Sequence, residues 1–109
     1  MKPRRVRFTA TAQRHVTREK IWWLENRLHN EIFATEFEEI FATEFEEGLR
    51  VLSLLPGAGT PYAAAGIPGL RRLYLRKLTC HLYYTFDEHE VTVRAVWGAR
   101  RRHGPTIKP

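Results

Sequence analysis

"LRRLYLRKLTCHLYYTFDEHEVTVRAVW", residues 70–97, alternates apolar with polar or charged side chains over nearly its whole length. A period of two belongs to strands with one buried face, because successive side chains of an extended chain point to opposite sides. Two breaks divide the run: a tight turn at Arg76-Lys77 and a four-residue polar turn at Asp87–Glu90. The reading is a three-stranded antiparallel meander over 70–77, 78–86 and 91–97. Pairing through the turns sends Leu73, Leu75, Leu78, Cys80, Leu82, Tyr84, Phe86, Val91, Val93 and Ala95 to one buried face. The open face then carries Arg72, Tyr74, Arg76, His81, Tyr83, Thr85, Thr92 and Arg94, with Arg72 opposite His81 and Tyr83 opposite Arg94.

Upstream the period lengthens to 3.6. Val6–Phe8 reads as a short strand, and Thr9 or Thr11 as the N-cap of a helix running to about His29. Its apolar positions are Ala12, Val16, Ile21, Trp23, Leu24 and Leu28. Trp22 and Trp23 are neighbours, so they point about 100° apart and cannot share one core. A second helix spans 31–54, with Phe33, Phe37, Phe41, Phe45, Leu49 and Leu52 as its stripe and Gly48 inside it at a cost of roughly 0.5–1 kcal/mol. Pro56-Gly57 ends it, and "PGAGTPYAAAGIPG" (56–69) is a loop. The tail, 98–109, reads as basic and loose.

The chain is thus expected to be a single α+β domain over 1–109, β-α-α-β-β-β, with a helical hairpin on one face of a small antiparallel sheet. Within the second helix, Glu31–Glu38 and Glu39–Glu46 are the same eight residues written twice. Eight residues turn a helix by a net of about 80°, so the phenylalanine row continues while drifting around the axis. The added turns would project past the first helix, bulge at the connection or meet another chain. "RLHNEIF" (27–33) holds neither proline nor glycine, so fusion into one rod and a helix-swapped homodimer stay open.

Hydrophobic residues at 43% and charged residues at 28% describe a globular chain. No apolar run reaches the ~20 residues that span a bilayer, so a cytoplasmic protein is expected. The net charge of +6 conceals an asymmetry, because seven of the twelve acids fall in 31–47. From Val91 onward there are five Lys/Arg, one His and no acid, which suits phosphate or an acidic partner. The five histidines show no metal-ligand spacing and no glycine pattern matches a phosphate loop, so neither metal nor cofactor is expected. Cys80, the only cysteine, falls on the buried face, which makes it the weakest of the candidate catalytic groups.

Residues 68–101, "PGLRRLYLRKLTCHLYYTFDEHEVTVRAVWGARR", resemble the C-terminal half of the RelE/ParE toxin superfamily, above all its ParE branch. That family has a Gly-hydrophobic-Arg-Arg strand, a hairpin ending in a "YY"-like pair and a last strand closing on Arg-Arg. "VRFTATAQ" and "LRVLSLLPGAGTP" resemble its first strand with helix start and its helix end with loop. The resemblance implies a bacterial toxin of a type II toxin–antitoxin pair, neutralised by a cognate antitoxin. The ParE branch poisons DNA gyrase by protein–protein contact, whereas the RelE branch cleaves mRNA on the ribosome.

Two departures bear on the branch. Trp97 stands where the family often has a His, and no tyrosine follows Tyr84. For a gyrase poison the expected contact residues are Arg71, Arg72, Arg94, Trp97, Arg100 and Arg101, with no catalytic group. For an endoribonuclease, Arg72, Arg76 and Arg94 would hold the phosphate, with His81, Tyr83 or His103 for proton transfer. An inactive toxin-fold binding module is the third expectation.

Overall fold

The computed structural model describes residues 2–26 and 31–108, backbone only for 31–35. Strand β1 (Arg5–Phe8) leads into α1 (Ala10–Asn26), α2 (Glu31–Leu54), a 3-10 turn (Pro56–Ala58) and β2 (Thr60–Pro61). Strands β3 (Arg71–Leu75), β4 (Cys80–Phe86) and β5 (Glu90–Gly98) follow. One five-stranded sheet results, in the order β1-β5-β4-β3-β2. Only the β1–β5 pair is parallel, because the helical hairpin carries the chain across before the meander begins. The α+β class and the element order are as expected, with β2 an addition.

The helix-side core collects Leu75, Leu78, Cys80, Leu82, Tyr84, Val91, Val93 and Val96 from the sheet side, with Ala12, Phe37, Phe41, Phe45 and Leu52 from the helices. Gly48 lies where α2 comes nearest to β3: a Cβ there would sit 2.6 Å from Leu75 Cδ2. Close approach is what the helical glycine provides, offsetting its propensity cost. The Tyr84 hydroxyl, fully buried, donates to Pro56 O (2.6 Å) and accepts from Gly59 N (3.0 Å), tying the loop to the centre of the sheet.

Helix α2 is continuous through both copies of the repeat. Phe37 stacks on Trp23 (5.6 Å) and Phe41 on Phe45 (5.4 Å), so the first copy is seated on α1 through aromatic rings. Ile40, beside the stripe, is 47% exposed. The connection that fusion or swapping requires, 27–30, lies outside the described residues, as do Leu28 and the side chains of Ile32 and Phe33.

Several expectations need correction. The β3–β4 turn is a 3-10 turn, Arg76–Leu78, followed by Thr79 in the left-handed region, so Arg72 faces Tyr83 and Tyr74 faces His81. Between β4 and β5 a bulge sets Tyr83 opposite Ala95 and Tyr84 opposite Val93, leaving Arg94 as the inserted residue. The bulge reverses the phase of alternation: Ala95 leaves the helix-side core and Val96 takes its place. Phe86, at the strand end, is 40% exposed beneath the Arg4 guanidinium.

On α1, Thr9 is the N-cap, its Oγ1 accepting from Ala12 N (3.1 Å). The buried positions are Ala12, His15 and Glu19, whereas Ile21 and Leu24 are exposed. The reason lies in the sheet. β1 ends at Phe8, so β5 beyond Val93 has no strand on that side. α1 covers the vacant edge with polar groups: Thr9 Oγ1 reaches Arg94 O (3.4 Å) and His15 Nδ1 accepts from Val96 N (3.2 Å).

The open sheet face is also not open. Leu70, Tyr83, Ala95 and Ile107 form a second small core, with Tyr62, Ala65, Ile67 and Trp97 against it. The tail predicted to be loose crosses this face, with Pro105 and Ile107 buried. A run without periodicity gives no sign that a single isoleucine will anchor it.

Candidate functional site

Beside the tail the far face keeps a cleft of about 320 Å³, its walls including Arg72, His81, Tyr83 and Trp97 from the strands and Arg101, Arg102 and His103 from the chain after β5. Arg72 lies over the Tyr62 ring (5.0 Å), and its Nη1 donates to Tyr83 Oη (3.4 Å). Tyr62 meets Tyr83 edge-on at 4.9 Å, so the arginine is held by two rings. His81 sits between Tyr74 (4.9 Å) and Tyr83 (5.9 Å). Burial, then the Arg72 charge, holds the His81 imidazole below its ordinary value, which favours the neutral ring at pH 7. Burial pushes the Tyr83 phenol up, with Arg72 pulling against it.

The far end of the cleft is built around a residue the alternation did not reveal. Glu19, 1% exposed, accepts from Arg100 through both carboxylate oxygens (2.9 and 3.3 Å) and lies 3.7 Å from Arg101. Arg100 stacks on Trp22 at 3.6 Å and Arg101 on Trp97 at 3.9 Å. Trp97 Nε1 donates to His103 O (2.8 Å), fixing the start of the tail. Gly98 makes this possible, since a Cβ there would run into the Arg100 guanidinium. An acid spaced seven residues from Ala12, on a buried stripe, was the signal for Glu19.

Arg72, His81, Tyr83, Trp97, Arg101 and His103 are therefore brought together around one cleft. The other expected residues stand elsewhere. Arg71 donates to the carbonyls of Gly57 (3.1 Å) and Gly59 (2.7 Å) and secures the loop. Arg76 is exposed on the β3–β4 turn. Arg94 bonds Thr85 Oγ1 (2.9 Å) and lines a different cavity. Arg100 is held by Glu19.

Among the described residues, no group of three His, Cys, Asp or Glu could hold a metal, and no helix is long and apolar enough to cross a membrane. Burial pushes the Cys80 thiol up to about 12, so it stays protonated.

The fold has a solved counterpart. The chain is similar to a chain of the structure described as "Chromosomal ParDE TA system from P. aeruginosa", with a TM-score of 0.68 at 14% identity. The match covers 87% of this chain and 95% of that one. No family model and no curated protein matches the chain. At that identity the likeness speaks for the architecture alone: the chain shares the fold of that matched chain.

Proposed function

We propose that the protein is the toxin of a type II toxin–antitoxin pair, of the ParE kind, acting in the cytoplasm. It inhibits DNA gyrase by protein contact and is neutralised by a cognate antitoxin that covers its cationic surface. The sequence resemblance and the shared fold support the class. The mode of action rests on one observation: Tyr83, one of the two acid/base candidates of the strands, is only 2% exposed, whereas the stacked arginines at the rim remain reachable. A contact surface needs a preorganised cationic aromatic rim, and Arg72 on Tyr62 and Arg101 on Trp97 provide one. Arg71, Arg72, Arg94, Trp97, Arg100 and Arg101 are the proposed contact residues, with Arg71 and Arg100 acting through the loop and the Glu19 anchor.

One observation favours a second reading, ribosome-dependent mRNA cleavage. Arg72, His81 and Tyr83 share one cleft, and His81 is poised as a neutral base. Expression under an inducible promoter separates the two. Gyrase inhibition predicts lost supercoiling in extracts and in a purified gyrase assay, abolished by Trp97→Ala and retained by His81→Ala. Cleavage of ribosome-bound mRNA, lost with His81→Ala while supercoiling is intact, would replace the first reading by the second.

A further inference from the structure

The tail borders two cavities. Residues 101–104 contribute to the cleft just described, and 106–108 to a second one of about 370 Å³. Three different elements meet there, each bringing one cation: Arg14 from α1, Arg94 from the bulge of β5, and Lys108 from the tail. Thr9, Thr11 and Thr106 complete the polar lining, and among the described residues no carboxylate is part of it. Among the described residues, none of the three cations has an ion-pair partner.

The cations are placed rather than merely present. Arg94 is the residue that the bulge inserts, and a bulge re-aims a side chain that regular alternation would send elsewhere. Its Nε donates to Thr85 Oγ1 (2.9 Å), which fixes one edge of the guanidinium. Both of its Nη nitrogens keep their donors uncommitted among the described residues. Arg14 is steadied likewise, Nη2 donating to Thr11 Oγ1 (3.0 Å). Lys108 follows Ile107, whose burial pins that part of the tail to the sheet. The Thr9 hydroxyl is already used by Ala12 N and Arg94 O, whereas Thr11, which only accepts from Arg14, and Thr106 keep an O–H to donate.

Two half-fixed guanidinium groups and an ammonium around one cavity repel one another, and an anion removes the penalty. The fork of an arginine matches oxygens in pairs, and a tetrahedral oxyanion can present a separate pair to each arginine. A single side-chain carboxylate has two oxygens in all and would serve only one fork fully. We propose that this cavity binds a phosphate group with three or four terminal oxygens, inorganic phosphate or a phosphomonoester, through Arg14, Arg94 and Lys108 with Thr106 as a further donor. The proposal shares Arg94 with the gyrase reading, which makes no use of Arg14 or Lys108, so the variants that test it are placed at those two positions.

The test is a titration of the full ¹⁵N-labelled chain with inorganic phosphate at constant ionic strength, with acetate in parallel. Saturable shifts are expected at Thr9–Arg14, Arg94 and Thr106–Lys108, stronger with phosphate than with acetate. Arg14→Gln and Lys108→Gln, both at exposed positions that leave the fold intact, should each weaken phosphate binding about tenfold. A non-saturating response, an equal response to acetate, shifts centred on Arg72 and Arg101, or unchanged affinity in the double variant would each overturn the site.

A second arm finds the source of the phosphate. If a short single-stranded oligodeoxynucleotide without a terminal phosphate binds with a salt slope that the double variant reduces by about one unit, a two-oxygen phosphodiester suffices and the proposal of a more highly charged phosphate is overturned. If a 5′-mononucleotide loses affinity in the double variant and the oligodeoxynucleotide does not, it is a small phosphomonoester.

Discussion

On one face of the sheet, Leu82, Tyr84, Val91 and Val93 lie beneath two helices; on the other, Tyr83 and Ala95 lie beneath Ile107 of the tail and Ile67 of the loop. The strands are shared, yet the covers differ in kind. The helical side is closed by amphipathic stripes that bury many side chains together. The far side is closed by irregular chain anchored at single points, such as Ile107 and the Trp97–His103 hydrogen bond. Stability is distributed accordingly, since a thin cover with few apolar contacts opens at lower free energy than a helical one. Both cationic cavities adjoin the thin cover. The comparison teaches that both cationic cavities lie on the side whose closure costs least to undo.

Substitutions can break that contrast. Leu82→Ala, at a site with no exposure under the helices, should cost about 3–4 kcal/mol and lower the urea midpoint of the whole chain. A loss below 1 kcal/mol would mean that the helical cover is not the stabilising one. Glu19→Ala joins the two sides, because it strands Arg100 and Arg101 next to α1. The partial exposure of Arg100 lets water compensate, so about 2 kcal/mol is expected rather than the full penalty of a buried unpaired charge. Double-mutant cycles with Arg100→Ala measure it, and a coupling near zero would show that the contact is idle.

Ile107→Ala acts on the thin cover alone and should cost roughly 1–2 kcal/mol. Amide exchange should then speed up at 103–108 and not in β4 or β5. Equal acceleration in the central strands would show the two sides to be one cooperative unit.

The smallest effect comes from pH. His15 is held below the ordinary imidazole value by burial first, then by Arg18, Arg101 and Arg14, against Glu19; His81 is lowered by burial and Arg72. Protons therefore bind the unfolded chain more readily. The corresponding stability is complete above the unfolded value near 6.5 and declines as pH falls below it. His15→Gln, which retains an acceptor for Val96 N, should flatten the decline of the urea midpoint between pH 7.5 and 5.5, leaving the part due to His81. Identical curves for variant and parent would remove His15 from the account.

What could be read in advance followed regular spacing. Leu75, Leu82, Tyr84, Val91 and Val93 were legible as core from a period of two, and Phe37, Phe41, Phe45 and Leu52 from a period of 3.6. Arg72, His81 and Tyr83 were legible as far-face residues for the same reason. Glu19 and His15 were not, because a polar residue on a stripe reads as solvated until something is known to satisfy it. Here the partners are Arg100, eighty-one positions along the chain, and Val96 N, equally far from His15. Arg94 and Ala95 were misplaced by the bulge, which depends on how β4 and β5 fit together and leaves the composition of either strand unremarkable.

The sequence by itself determined the class of fold, the order of its main elements, the helical pattern of the repeated octapeptide and the cationic character of the last strand and tail. These are local properties, set by side-chain period, turn residues and charge. Only the tertiary structure decided that the tail would close the far face, that Glu19 would hold Arg100 and Arg101, and that Arg14, Arg94 and Lys108 would share a cavity. Those arrangements join residues about eighty or more positions apart or, for Ile107, rest on one anchor in an aperiodic run. Such contacts have no period to announce them and exist only once the strands have chosen their register.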